Sequence, residues 1–309
     1  MSVLISGSIA YDTVFAHEGR FADTIDPASI ECLNLTFQAG HMRKTFGGCA
    51  ANIAHSLKQL GGDPLIWSAV GADGAPYLSH LTSQGIRTDS IRILSDAWTS
   101  QCVITTDALG NQLTTFHPGA MDRAGELSWP EGEHPSCGIL APSCREPLLA
   151  HFELFRRHNL PFIFDPGQTT PLFSGDELIA LSEAATAVAF SDYEAAMITS
   201  RTGLTPADLS RRTRAVFCTH GSRGSSVWEN GRETFIPAHS VPAIDPVGAG
   251  DAYRGGLLYG LEHGWDPVAW ARLGTLMASL KVQVKGPSYQ LSDEQRTQYV
   301  SEARRLPFA

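Results

Sequence analysis

Short apolar runs recur along this chain, and most are followed by a stretch with helical spacing. Val3-Leu4-Ile5-Ser6-Gly7-Ser8, Leu65 to Val70, Gly138 to Ala141, Pro161 to Asp165 and Ala187 to Ser191 read as buried strands. A helix is expected from Cys49 to Leu60, with Ile53, Ala54, Leu57 and Leu60 on one face and Gly61-Gly62 as its stop. Further helices are expected over Pro76 to Gln84, Pro147 to His158, Gly175 to Ala185 and Asp192 to Thr202. Strands this apolar are covered on both faces, and a helix between consecutive strands makes them parallel. The fold class is therefore α/β, a mostly parallel sheet flanked by helices on both faces.

Two segments break the rhythm. Gln101 to Thr106 and Gln112 to His117 are β-rich and flank a Leu109-Gly110-Asn111 turn, which predicts a hairpin. Asn34 to Phe46 also reads as extended. These pieces predict a small β lid from residues 13–46 and 98–120, set on a large domain of residues 1–12, 47–97 and 121–309. A second hairpin, Ser225 to Trp228 and Thr234 to Ile236 around Asn230-Gly231, belongs at the late edge of the large sheet. Ser292-x-x-Gln295 is a capping box opening a last helix.

Composition narrows the function classes. With 43% hydrophobic and 18% charged residues in 309, disorder is excluded and a large core is available. A net charge of −9 argues against a general nucleic-acid or anionic-membrane binder. No run approaches a membrane span, and Met1 to Tyr11 is not a secretory signal. The cysteines Cys32, Cys49, Cys102, Cys137, Cys144 and Cys218 form no C-x-x-C pair, so reduced, mostly buried thiols in a cytoplasmic protein are expected. No cysteine pairs with a histidine at zinc-ligand spacing.

The most informative stretch is Asp245-Pro-Val-Gly248-Ala249-Gly250-Asp251-Ala-Tyr-Arg-Gly255-Gly256. Its first half is a loop, and its second half opens a helix with Ala252, Leu257, Leu258 and Leu261 as the apolar face. A glycine loop feeding a helix start presents free N–H groups and a positive dipole end to an anion, here a phosphate. Asp251 is out of place beside a phosphate unless it takes a proton from the attacking nucleophile. Capping the helix is the simpler role for an isolated aspartate. Gly255, Gly256 and Gly260 shift the balance, because each costs ~1 kcal/mol against alanine inside a helix and implies close backbone packing beneath a specialised loop. Thr219-His220-Gly221-Ser222-Arg223-Gly224 follows the strand Ala215 to Cys218 as a loop for nucleotide phosphates or a plain tight turn. Gly47-Gly48 with Asn52 one turn later reads as a hinge facing ligand or an ordinary helix start. Asp12 ends the first strand, where open α/β sheets bind ligands, or it forms a turn. No G-x-x-x-x-G-K-[ST] loop, protein-kinase H-R-D or D-F-G set, G-x-G-x-x-G after the first strand, or G-x-S-x-G is present.

These motifs resemble the ribokinase-like (PfkB) family of carbohydrate and nucleoside kinases. The 245–256 stretch is similar to that family's C-terminal signature, and Gly47-Gly48-Cys49-Ala50-Ala51-Asn52 to its N-terminal glycine pair and asparagine. Within the family the likeness is to bacterial adenosine or nucleoside kinases, through Gly7 to Asp12, Glu18 to Phe21, Phe116 to Met121 and Asp192-Tyr193-Glu194. The resemblance implies that the sheet is doubly wound, with Asp251 as the base for a nucleoside 5′-hydroxyl and the N–H groups of Gly248, Ala249 and Gly250 as the anion hole. Asp12 would hold the ribose hydroxyls, helped by Ser8, Gly48 and Asn52. Phe116 would stack on the base, with Cys102 and Gln168 near it. Ser191, Glu194, Thr219, Gly221 and Gly224 would serve ATP, Glu194 organising Mg2+ through water, and K+ is an optional further ion. Three positions depart from the pattern: Cys102 stands where a second aromatic is expected, Thr169 where a second glutamine is, and Ser191 where an asparagine is.

The sequence thus reads as an ATP- and Mg2+-dependent nucleoside kinase, monomeric or homodimeric, with adenosine as first acceptor and no nucleic-acid or membrane partner. Alternatives are a relaxed nucleoside kinase accepting inosine or guanosine, a ribose or fructose kinase of the same family, and a non-catalytic nucleoside-binding protein. A sugar gives Phe116 no purine face to stack on, and binding alone needs no base at Asp251.

Overall fold

The computed structural model describes residues 1–26, 31, 32, 34–286 and 289–305, so positions 27–30 and 33 of the expected lid segment lie outside the described residues. In chain order, β1 (Ser2–Ser6) opens a large sheet and β2 (Ala10–His17) a small one. α1 (Phe21–Thr24), β3 (Ala39–Gly47), α2 (Cys49–Gln59), β4 (Asp63–Gly71), α3 (Ala75–Ser83) and β5 (Ile91–Leu94) follow. The hairpin β6 (Ser100–Thr106) and β7 (Gln112–His117) returns to the small sheet. The large sheet resumes with β8 (Cys137–Leu140), α4 (Arg145–Arg157), β9 (Phe162–Phe164), α5 (Gly175–Ala184), β10 (Ala187–Ser191) and α6 (Asp192–Thr202). It ends with α7 (Pro206–Leu209), β11 (Ala215–Thr219), β12 (Gly224–Glu229) and β13 (Arg232–Pro237). Helices α8 (Ala249–Glu262), α9 (Pro267–Lys281) and α10 (Asp293–Arg304) complete the chain.

The large sheet has nine strands in the order β13-β12-β11-β10-β9-β8-β1-β4-β5, parallel except for the β12 and β13 edge. Successive side chains of a strand point to opposite faces. Accordingly Val3 and Ile5 enter a core shared with α2, α8 and α9, while Leu4 enters a second core with α4, α5 and α6. Both faces are covered, which is why apolar residues dominate these runs, and the buried Ser6 hydroxyl pairs with His151 Nδ1 at 2.7 Å.

The small sheet has the order β3-β2-β6-β7. Its register aligns Ala10 with Gly47 and Ser100, and Gln101 with His117, so all four strands meet the large domain at the same end. The far turn is held by Asp107, whose carboxylate accepts from the N–H groups of Leu109, Asn111 and Phe21. Asp12 is not the end of the first strand, as the sequence suggested. The chain breaks at Gly7-Ser8-Ile9, where the Ser8 N–H leaves the ladder for Pro142 O, and Asp12 lies inside β2 of the small sheet. The thiols also differ from expectation. All six cysteines are unpaired, but only Cys137 and Cys218 are buried, Cys32 is exposed and the rest are half-buried.

Candidate active site

Helix α8 starts at a glycine because its N-cap, Gly248, is left-handed at φ 81°. The Ala249 N–H is used within the turn on Pro246 O (3.1 Å), whereas among the described residues nothing accepts from the N–H of Gly248 or Gly250. The glycines farther along are explained by packing. A Cβ on Gly255 would stand 2.6 Å from Ser56 of α2, one on Gly256 2.5 Å from the Gly274 nitrogen of α9, and one on Gly260 2.3 Å from Trp270. The loop is thereby seated on two helices at near-backbone contact.

Asp251 lies in the first turn of α8 and accepts from Asn52 Nδ2 at 2.8 Å. Gly48 makes that meeting possible. It sits at φ 96°, and a Cβ there would be 2.5 Å from Ser8 O, so α2 packs directly on the Ser8–Ala10 backbone. Ser8 itself is buried, its hydroxyl accepting from Cys49 N (2.9 Å) and its carbonyl from Ala50 N (3.0 Å). Its polar groups serve the start of α2, a supporting position behind the cleft. Gln168 reaches the Cys49 sulfur at 3.8 Å, and that thiol lies against Asp251. Burial pushes the Asp251 carboxyl up to about 6, the hydrogen bond from Asn52 opposing and the charge of Asp165 reinforcing the shift.

Beneath Asp251 is an ion pair that the sequence reading did not anticipate. Arg254 donates through Nε and Nη2 to the two carboxylate oxygens of Asp165, both at 3.0 Å, with the side chains 5% and 4% exposed. An arginine among Ala252, Leu257 and Leu258 on a packed helix face was the available signal, since a buried guanidinium requires a bidentate anion. The charge of Glu194 also reaches this pair.

On the small sheet, cross-strand register puts Thr45, Asp12, Cys102 and Phe116 in one row on one face. A Cβ on Gly47 would lie 2.0 Å from the Asp12 carboxylate, so that glycine leaves room for the acid. Burial pushes the Asp12 carboxyl up to about 6, with Arg43 pulling it back. Phe116 is 49% exposed, an aromatic ring presented rather than packed. Tyr77, buried and donating to Gly47 O, feels the charges of both Asp12 and Asp251, so the two carboxylates lie within electrostatic reach of one side chain.

The remaining candidates gather at the ends of β10 and β11. Ser191 and Thr219 are register partners on these adjacent strands. Ser191 and Glu194 form a reciprocal capping box: Ser191 N donates to Glu194 Oε2 (2.7 Å) and Glu194 N to Ser191 Oγ (3.3 Å). Serine keeps the helix start intact in this role. Gly221 has open space around it, whereas a Cβ on Gly224 would be 2.1 Å from Ile236 O of the neighbouring β13.

A family model described as pfkB family carbohydrate kinase matches residues 19–294. The chain belongs to that family. The nucleoside kinase of Methanocaldococcus jannaschii is 30% identical to it over 256 residues, which is 82% of this chain and 84% of the relative. The structure of Burkholderia thailandensis nucleoside kinase in complex with inosine is similar at a TM-score of 0.86 and 38% identity, covering 98% of each chain. The same protein in complex with ADP-inosine is similar at 0.83 and 39% identity, covering 98% of this chain and 96% of that one. The ribokinase-like fold and a phosphotransferase acting on a hydroxyl group follow for this kinase. No helix among its described residues is long and apolar enough to cross a membrane.

Proposed function

We propose that this kinase transfers the γ-phosphoryl group of ATP to the 5′-hydroxyl of a purine nucleoside, accepting adenosine, inosine and guanosine through one pocket. The observation that carries this reading is the row from Asp12 through Cys102 to Phe116. Two inter-strand spacings separate its ends by about 10 Å, room for a carboxylate to take vicinal ribose hydroxyls while the ring stacks on a base. A free sugar would leave the Phe116 end unused. Cys102, between them, supplies bulk without a second ring or a base-reading hydrogen bond, which supports tolerance among purines.

In this reading Asp251 accepts the 5′-hydroxyl proton as the oxygen attacks phosphorus. A carboxyl raised to about 6 is a stronger base than an ordinary aspartate and still ionised at neutral pH. The Gly248 and Gly250 N–H groups and the α8 dipole receive the charge on the transferring group. The Ser191–Thr219 corner faces the nucleotide. Bound Mg2+ would neutralise charge on the ATP phosphates, and Glu194 would help hold it through water. Glu194 fits an outer-sphere role, because one oxygen is committed to the Ser191 N–H and the other accepts no hydrogen bond among the described residues.

The test is ATP consumption with Mg2+ across adenosine, inosine, guanosine, cytidine, ribose and fructose. Turnover of several purine nucleosides with the sugars inert is expected. Turnover of free sugars alone would overturn the reading, and adenosine alone would overturn the relaxed pocket.

A further inference from the structure

Lys281, the last residue of α9, is fully buried and makes no ion pair within 4 Å among the described residues. Its ammonium donates instead to two backbone carbonyls, Asp245 O at 2.8 Å and Val284 O at 3.3 Å. Burying an unpaired ammonium is costly, so such a lysine needs a structural reason. The surroundings supply one. Ile244 N and Asp245 N both donate to Val282 O (2.7 and 3.1 Å), and the Asp245 carboxylate accepts from Gly286 N (2.9 Å) and Val247 N (3.0 Å). The strap after α9 is thus sewn to the segment entering Gly248, and the lysine head closes the seam.

Backbone carbonyls beside a carboxylate are the oxygen set that holds a dehydrated monovalent cation. The resemblance to PfkB kinases admits K+, but here that set already carries a covalently attached positive charge. Burial weakens the ammonium's hold on its proton, and the Asp245 charge opposes that in part. We propose that the Lys281 ammonium is the resident cation of the anion-hole loop: it takes the place of K+ and holds Gly248 to Gly250 in register. It is a positioning residue, acting through the 245–248 loop without touching substrate. The inference rests on the kinase reading above and goes beyond it.

The experiment compares KCl with tetramethylammonium chloride, whose cation is too bulky for a carbonyl cradle, at equal ionic strength. Wild-type kcat and melting temperature should be the same in both salts. Lys281→Met should lower kcat by up to about 100-fold with little change in nucleoside KM, the cost of a misplaced anion hole. Lys281→Ala should lose kcat in tetramethylammonium and regain part of it in K+ or ammonium salts, with a melting temperature that rises in those salts alone, because the emptied cradle then binds the ion. Lys281→Met, which fills the space, should show neither response. Activation of the wild type by K+ overturns the proposal. So does full kcat in Lys281→Met, or a folded Lys281→Ala that is impaired and unresponsive to any cation. Should Lys281→Ala not fold, the wild-type salt comparison and Lys281→Met decide. If no acceptor is phosphorylated in any salt the kinase reading fails by itself, while the melting of Lys281→Ala in the two salts still reads the cradle.

Discussion

Asp251→Asn should make this kinase more stable while disabling it. The substitution preserves shape and the contact from Asn52, because the new amide can turn its oxygen to the Asn52 donor at the same position. What it removes is a charge held in a packed wall beside Asp165. Raising the carboxyl from 3.8 to about 6 corresponds to about 3 kcal/mol against the ionised form at neutral pH. Partial exposure to the cleft reduces that to roughly 2 kcal/mol, or about 4–8 °C in melting temperature. The pH dependence is specific. A carboxyl whose folded value is raised stabilises the fold fully below its unfolded value of 3.8, and loses that contribution as pH climbs through about 6. Melting curves of both proteins from about pH 3 to about pH 8 should therefore draw together at the acid end, part as pH rises from 3.8 to about 6, and keep a constant offset above that, the variant higher. Turnover should fall by roughly 10²–10⁴ with nucleoside affinity retained. Equal melting at pH 8, or an offset independent of pH, would refute the strained-carboxylate argument. Near-normal turnover would remove Asp251 as the base.

Phe116→Ala should weaken nucleoside binding by ~1–3 kcal/mol, read by calorimetry, with kcat nearly unchanged; unaltered affinity takes the ring out of the site. Arg254→Met leaves Asp165 buried without its partner and should cost about 3–5 kcal/mol in denaturant unfolding, much of it recovered when Asp165→Asn is added; a neutral single variant would show the pair to be incidental. Gly250→Ala meets only Arg254 Nη1 at 3.4 Å and should leave stability intact while lowering kcat. Gly256→Ala drives a methyl into the Gly274 backbone and should lose about 1–3 kcal/mol of stability; the reverse pattern in that pair would contradict the packing assignment. Because Asp12 and Asp251 are both raised to about 6, kcat/KM should fall on the acid side through that value more steeply than one ionisation allows; a single-proton limb would exempt one of the two.

The parallel sheet was legible because its strands announce burial on both faces, and the small hairpin because Gly110 punctuates two alternating runs. α9 was not, since Trp270, Ala271, Leu273, Leu276 and Met277 are all buried and leave no amphipathic stripe; only Asp266 and Pro267 marked its start. β2 escaped for the opposite reason, as a half-buried strand interrupted by Asp12 looks like a turn. Asp251 and Asn52 were each readable as site residues, but their contact spans 199 positions and no local pattern encodes it. The same holds for Asp165 with Arg254, 89 apart, and for Lys281, whose role depends on a carbonyl 36 residues away.

Because all four strands of the small sheet join the large domain at one end, the line through Gly47, Ala10, Ser100 and His117 is a natural axis of rotation. At about 3.3 Å per residue, Asp12 stands about 7 Å from that axis and Ala16 about 20 Å. Any swing therefore displaces the tip about three times as far as the acid. In such a swing the groups that would grip the acceptor sit at the short end of a lever, nearly stationary, and the Asp107 turn would travel farthest. Substitutions at that turn should alter how fast ligands enter and leave far more than the geometry in which they react.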